Sequence, residues 1–266
     1  MLIDSHCHIH DPQYNFDAKE TLARAHANGV NKIIVIGTSP EDNLVAQKFA
    51  EAHDGVYWAY GFHPGELTTE LAETTLFQTV RSHDEDLATR PVTTGPRSVS
   101  EKESSSKLVA IGEIGLDYHY KPYDRERQIK LFEQMLDLAK KQNLPIIFHV
   151  REAFDDFWPI VDNAGVKNAV LHSFSDNEAN LKAAIKRNFY VGINGLVTFA
   201  PIPLPPLEHM LLETDAPYLT PAPFRGKINE PSYIKNIAEW MADKLQVSFD
   251  TVENQTTSNA TKLFNL

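Results

Sequence analysis

The chain has 266 residues, 42% hydrophobic and 23% charged, an ordinary globular composition with length for a sizeable core. At about 150 residues per domain this is one or two domains, and an α/β barrel of roughly 250 residues fits equally well as one. The formal net charge of −11 argues against a simple nucleic-acid binder, which would carry a basic face.

In chain order, short apolar runs rich in β-branched residues alternate with helical patterns. The run 2–8 (LIDSHCH) is followed by a helix from Asp17 to Asn28 that stops at Gly29. A second run, 31–37, leads to Ser39-Pro40-Glu41, a cap residue followed by proline at the first helical position. After the run 56–61, residues 81–106 break the pattern. They are polar, and 91–106 read as a flexible surface insertion in a single domain. The run 108–115 precedes a helix over Asp124–Gln142, with Ile129, Phe132, Leu136 and Ala139 at spacings of three and four. Runs 145–150 and 168–173 come next. Ser175-Asp176-Asn177-Glu178 then fits a capping box that opens a helix.

Runs 189–195 and 209–215 complete eight predicted strands, most of them near-continuously apolar, as strands buried on both faces are. Between these two stand Pro201, Pro203, Pro205 and Pro206, so the usual crossover helix is expected to be missing or replaced by an extended segment. Two last helices are predicted at 231–245 and 248–264. Eight strands, most followed by a helix, predict an α/β fold of the (β/α)8 or TIM-barrel class.

No apolar run reaches the roughly 18 residues of a membrane span, and the first residues lack the basic and apolar regions of a secretory signal. Cys7 is the one cysteine and has no partner for an internal disulfide, so the expected location is cytoplasmic. No membrane and no obligate protein partner are implied.

In such barrels the chemistry sits at the C-terminal ends of the strands. Reading those ends gives His6 and His8, then His63, Glu113, His149, His172 and Asp215. His6 and His8 are two apart, so in a strand they face one side and Cys7 the other. His10 shares their parity but lies beyond the strand, where a supporting or surface role is expected. Each residue alone has a plainer reading. Glu113 fits a salt-bridged core carboxylate, His149 and His172 fit hydrogen-bonded core histidines, and Asp215 fits a cap or turn residue. Together, four imidazoles and two carboxylates suit divalent metal ions. Six ligands exceed the need of one tetrahedral ion, so two ions sharing a carboxylate are expected, a pair suited to phosphodiester hydrolysis. Bound ions would also supply the positive charge that an acidic chain lacks.

The segments DSHCHIH, GFHP, GEIGLDY, FHVRE, LHSFSD, LLETDAPYLTP and RGKINEP resemble the TatD family of metal-dependent deoxyribonucleases, among the amidohydrolase-like barrels. The resemblance implies that His6, His8 and Asp215 hold one ion, that His149 and His172 hold a second, and that Glu113 bridges them. It leaves the ions open among Mg, Mn and Zn. Glu113 and Asp215 would be catalytic, with Asp215 taking or relaying the proton of the attacking water. His63, Arg151 and Arg225 would face the substrate or its phosphate. The implied activity is a 3′-5′ exodeoxyribonuclease on single-stranded DNA. The alternative is hydrolysis of another ester, such as that of a D-aminoacyl-tRNA. Tyr118, Tyr123, Phe174 and Phe199 are candidates to stack on bases. The chain departs from the family pattern in the length of 91–106 and in the short segment after Gly195.

Overall fold

The structure is a computed structural model, and it describes residues 1–14, 16–66 and 107–266. The expected insertion at 91–106 lies outside the described residues. Eight parallel strands follow one another around the sheet in sequence order. They are β1 (Leu2–Cys7), β2 (Val30–Ile36), β3 (Val56–Tyr60), β4 (Leu108–Asp117), β5 (Ile146–Arg151), β6 (Ala169–Leu171), β7 (Tyr190–Ile193) and β8 (Met210–Leu212). The helices among the described residues are α1 (Ala18–Ala27), α2 (Pro40–Ala52), α3 (Arg125–Gln142), α4 (Phe154–Ala164), α5 (Glu178–Lys186), α6 (Ile234–Leu245) and α7 (Phe249–Phe264). This is the expected (β/α)8 barrel.

Local chemistry sets most boundaries. Asp17, Ser39, Asp124 and Ser248 each accept a backbone N–H in the first turn of α1, α2, α3 and α7. Each such cap is worth about 1 kcal/mol. The capping box expected at Ser175 is corrected. Asn177 is the cap of α5 and accepts from the N–H groups of Ala179 and Asn180, so the helix starts two residues later. Helix α4 lacked a sequence signal because Ala153 offers no side-chain cap and Pro159 sits inside the helix. Packing forms it instead. Phe157 is fully buried, stacked on Phe132 at 5.7 Å and edge-on to Phe148 at 4.9 Å.

Between β7 and β8 the chain makes two short 3-10 turns, Gly195–Thr198 and Leu207–His209, and no α-helix. The missing crossover helix is therefore a real feature, and the four prolines account for it. Helix α7 adds Ala260, Leu263 and Phe264 to a core cluster that includes Ile3, Ile34, Ile147 and Leu211. Asn259 ties this helix to the start of β8 by donating to the carbonyls of Leu207 and Met210.

The last seam of the barrel is closed by residues at and just beyond the strand ends. The Asp215 N–H donates to the His6 carbonyl at 2.9 Å, and the His8 N–H donates to the Ala216 carbonyl at 2.7 Å. The buried Asp4 carboxyl meets both the N–H (2.9 Å) and the hydroxyl (2.6 Å) of Thr214.

Two register irregularities set the direction of side chains at the strand exits. Gly112 pairs with Ile147 and Ile114 with Phe148, so Glu113 is an extra residue in β4. Asp4 pairs with Ile33 and Cys7 with Val35, which leaves an extra residue around Ser5 and His6. Such bulges re-aim a side chain. Asn43 of α2 braces the next strand exit, with its amide donating to the Gly61 carbonyl (2.8 Å) and accepting the Gly61 N–H (3.0 Å). Gly61 in turn lies so close to the Gly112–Glu113 peptide that a Cβ there would sit 2.3 Å from the Gly112 carbonyl carbon.

Asn43→Ala should therefore lower the unfolding free energy by about 2–4 kcal/mol, since it strips two buried backbone groups of their partner. The check is the urea midpoint, and an unchanged midpoint would show that the brace contributes nothing.

Candidate metal centre

The C-terminal ends of β1, β4, β5, β6 and β8 bring six predicted residues together. The Nε2 atoms of His6 and His8 are 3.2 Å apart. Each lies 3.7 Å from Asp215 Oδ1. Glu113 Oε2 stands 3.8 Å from His6 Nε2, 3.5 Å from His149 Nδ1 and 3.4 Å from His172 Nε2. Its Oε1 is 4.0 Å from His8 Nε2. The rings of His6 and His172 stack at 3.6 Å.

Backbone geometry aims these groups. The bulge in β4 turns Glu113 into the cluster. Asp215 has a left-handed backbone, φ 57°, which few residues with a side chain adopt and aspartate adopts more readily than most. Cys7 points away and is fully buried, with its Sγ 3.8 Å from the Ile34 carbonyl.

The donor set fits divalent metal. Donors about 2.0–2.2 Å from a common ion lie about 3–3.6 Å from one another, close to the spacings in this cluster. Three overlapping triplets have ligand atoms within 4.8 Å of one another: His6, His8 and Glu113; His6, His172 and Asp215; and His63, Glu113 and His149. His6 is buried, and its burial together with the neighbouring His172 holds it well below the usual imidazole range, so its lone pair is free.

The electrostatics come from crowding histidines around carboxylates. Burial would raise Glu113, but the hydrogen bond from His149 and the electrostatic pull of the surrounding His63, His6 and His172 rings outweigh it, and the carboxylate is held well below its usual range. Burial would lower His8, but Asp215 and Glu113 bring it up to about 9. His149 also rises to about 9 despite burial, through Asp117 and Glu113.

Two supporting carboxylates escaped the sequence reading. Asp117 Oδ2 lies 3.0 Å from His149 Nε2, and Glu213 Oε1 lies 3.1 Å from His172 Nδ1. Asp117 orients its ring through a hydrogen bond, Glu213 stands within ion-pair distance of His172 without one, and the other nitrogen of each ring faces Glu113. The signal was present: each is a second acidic residue close to a predicted ligand, in GEIGLDY and LLETD. Gly192 makes the seat for Glu213, because a Cβ there would fall 2.2 Å from Glu213 Oε2. His8 Nδ1 is 3.2 Å from the Ile36 carbonyl, whereas His6 Nδ1 is buried without a hydrogen-bond partner among the described residues.

His63 comes closer to this cluster than a rim position would place it. Its ring meets that of His149 edge-on at 4.3 Å, and its Nδ1 accepts the Gly65 N–H. Burial and the charge of His149 lower it to about 4. His10 is buried and pairs with Asp42 at 3.0 Å, a supporting place. Arg151 donates to the Tyr120 hydroxyl at 3.2 Å. The Arg225 guanidinium lies 3.4 Å from the centre of the Phe199 ring. Neither arginine forms an ion pair among the described residues. Of the aromatics proposed for stacking, Phe174 is corrected: it is 3% exposed and packs on Phe154 in the core. Tyr118 and Tyr123 stack on each other at 4.6 Å.

No helix among the described residues is long and apolar enough to cross a membrane. The family model "TatD related DNase" matches residues 3–265. The chain is 35% identical to an uncharacterized metal-dependent hydrolase, YabD of Bacillus subtilis, across 100% of both chains. It is 30% identical, again across 100% of both, to a Pantoea ananatis protein named 3′-5′ ssDNA/RNA exonuclease TatD. Among solved structures it matches YjjV, a TatD homologue from Escherichia coli K12, with TM-score 0.83 and 29% identity over 100% of this chain and 98% of that one.

Metal uptake should release protons, because His8 and His149 are protonated at pH 7 before an ion displaces them. Apparent affinity should climb as pH rises toward about 9, and calorimetry in buffers of different protonation enthalpy counts the protons. Uptake without proton release would contradict the raised proton affinity of these two histidines. Asp117→Ala should weaken metal binding by about 10–100-fold, read by competition with a chelating dye.

Proposed function

Since the chain belongs to the TatD family of metal-dependent hydrolases, we propose that it removes nucleotides from the 3′ end of single-stranded DNA with two divalent ions. His6, His8 and Asp215 would hold one, His149 and His172 the other, with Glu113 between them. The observation that carries this reading is the place of Glu113. A single carboxylate oxygen lies within 3.8 Å of ring nitrogens from β1, β5 and β6, so one group faces both halves of the cluster. The likeness to the Pantoea exonuclease supports the substrate and polarity.

When bound, the ions supply Lewis-acid polarisation of the phosphoryl oxygen and acidify a water, work suited to a phosphodiester. The residues do the rest. Asp215, whose side chain is 13% exposed, is the carboxylate of the cluster best reached by solvent, and its role is to accept the proton of the attacking water. Asp117 keeps the ring of His149 fixed by a hydrogen bond, and Glu213 places a negative charge beside His172. Arg151 and Arg225, free of ion pairs among the described residues, offer guanidinium groups to the substrate's backbone. Their flat faces already rest on Tyr120 and Phe199.

The test incubates a 5′-labelled single strand, the same strand labelled at its 3′ end, and a D-aminoacylated tRNA with Mg²⁺ and with Mn²⁺. The expected result is a descending ladder from the 5′ label, immediate mononucleotide release from the 3′ label, and an intact tRNA ester. Deacylation with both strands intact would overturn the reading. Glu113→Gln should cut the rate by at least about 10²-fold, the scale seen when one charge-stabilising group is lost. A variant with most of its activity would refute the bridging role.

A further inference from the structure

Four aromatic side chains are exposed among the described residues near the strand exits: Tyr120, Tyr123, Phe199 and Tyr218. Three of them already have a face engaged. Tyr123 stacks on Tyr118, Arg151 lies over Tyr120, and Arg225 lies over Phe199. Tyr218 differs. It is 49% exposed, and its two ring neighbours, His8 at 6.3 Å and Tyr14 at 5.7 Å, meet it at 66° and 83°. Neither stacks on its face. It is also the exposed aromatic whose ring touches a predicted metal ligand.

Its position is fixed from several sides. The Tyr218 N–H donates to the Asp215 carbonyl at 2.8 Å. The Tyr218 carbonyl accepts from the amide of Asn229, which is fully buried and also donates to the Thr214 carbonyl at 2.8 Å. The hydroxyls of Tyr14 and Tyr218 hydrogen-bond, tying the loop after β8 to the loop after β1. Holding a half-exposed ring this firmly gains only part of what full burial would give, since much of its area stays in water. It does pre-organise a flat face at the edge of the metal cluster, which lowers the cost of binding a planar group. The same loop carries Arg225 and Lys227 beyond Tyr218, so an aromatic face is followed by cations. That is the pairing by which proteins hold single strands, stacking a base and tracking the phosphates.

We propose that Tyr218 is the stacking platform for a nucleobase flanking the scissile phosphodiester, with Tyr14 fixing its ring. This rests on the proposed nuclease activity. It adds that the enzyme recognises its substrate partly through a base, in a way open to any base, because every base has a stacking face.

The experiment compares a single-stranded oligonucleotide with one in which both nucleotides flanking the 3′-terminal phosphodiester are abasic. Wild type should favour the intact strand by about 5- to 150-fold in kcat/KM, the range a stacked base supplies. Tyr218→Phe should keep that ratio, and Tyr218→Leu should bring it close to one. Anisotropy with the labelled strands in the Glu113→Gln background reads the same contrast as affinity, without turnover. An unchanged ratio in Tyr218→Leu, or an equal loss on both strands, would overturn the platform. A wild type that cleaves strands without any ratio would overturn the platform and leave the nuclease reading intact. A wild type that cleaves neither strand would overturn both.

Discussion

A carboxylate in the mouth of a barrel must be surrounded by groups that stabilise its charge, and Glu113 is 4% exposed there. Burial alone would protonate it. Four imidazoles reverse that, and the carboxylate stays charged, well below its ordinary range. The same histidines would repel one another if all were protonated. His6 is accordingly held neutral, while His8 and His149 carry the charge beside Asp215, Glu113 and Asp117. A cluster of this kind, neutral and protonated imidazoles around carboxylates, has the donor chemistry to take up a divalent cation in exchange for protons.

The requirement reaches back into the backbone. A regular β4 would pair every residue with β5, and the bulge at Glu113 leaves it unpaired and turned into the cluster. The residues that gather at the cluster also close the barrel, since the Asp215 N–H meets the His6 carbonyl and the His8 N–H meets the Ala216 carbonyl. Structure and chemistry therefore share the β8–β1 seam. A change that loosens the seam would displace three ligand candidates together, and Gly61 and Gly192 leave no room for a Cβ because the Gly112–Glu113 peptide and the Glu213 carboxylate occupy the space.

The barrel was legible because buried parallel strands leave near-continuous apolar runs, and charged residues within them stand out. His6, His8, Glu113, His149, His172 and Asp215 were all visible in that way, and they converge. What was not legible depended on contacts across the chain. Asp117 and Glu213 looked like spare acidic residues until the fold set them against His149 and His172. Helix α4 has no cap and an internal proline, so only its packing on Phe132 and Phe148 explains it. Ser175 offered a capping pattern, but Asn177 was nearer to the first free N–H groups. Phe174 stood near a strand end like the exposed aromatics, and only the structure shows that it belongs to the core.

The proposed site places Glu113 between two cations. Anomalous diffraction from a crystal soaked in Mn²⁺ tests it most directly. Two peaks are expected, one among His6, His8 and Asp215 and one between His149 and His172, each in contact with a Glu113 oxygen. One peak alone, or two peaks with Glu113 touching neither or only one, would contradict it.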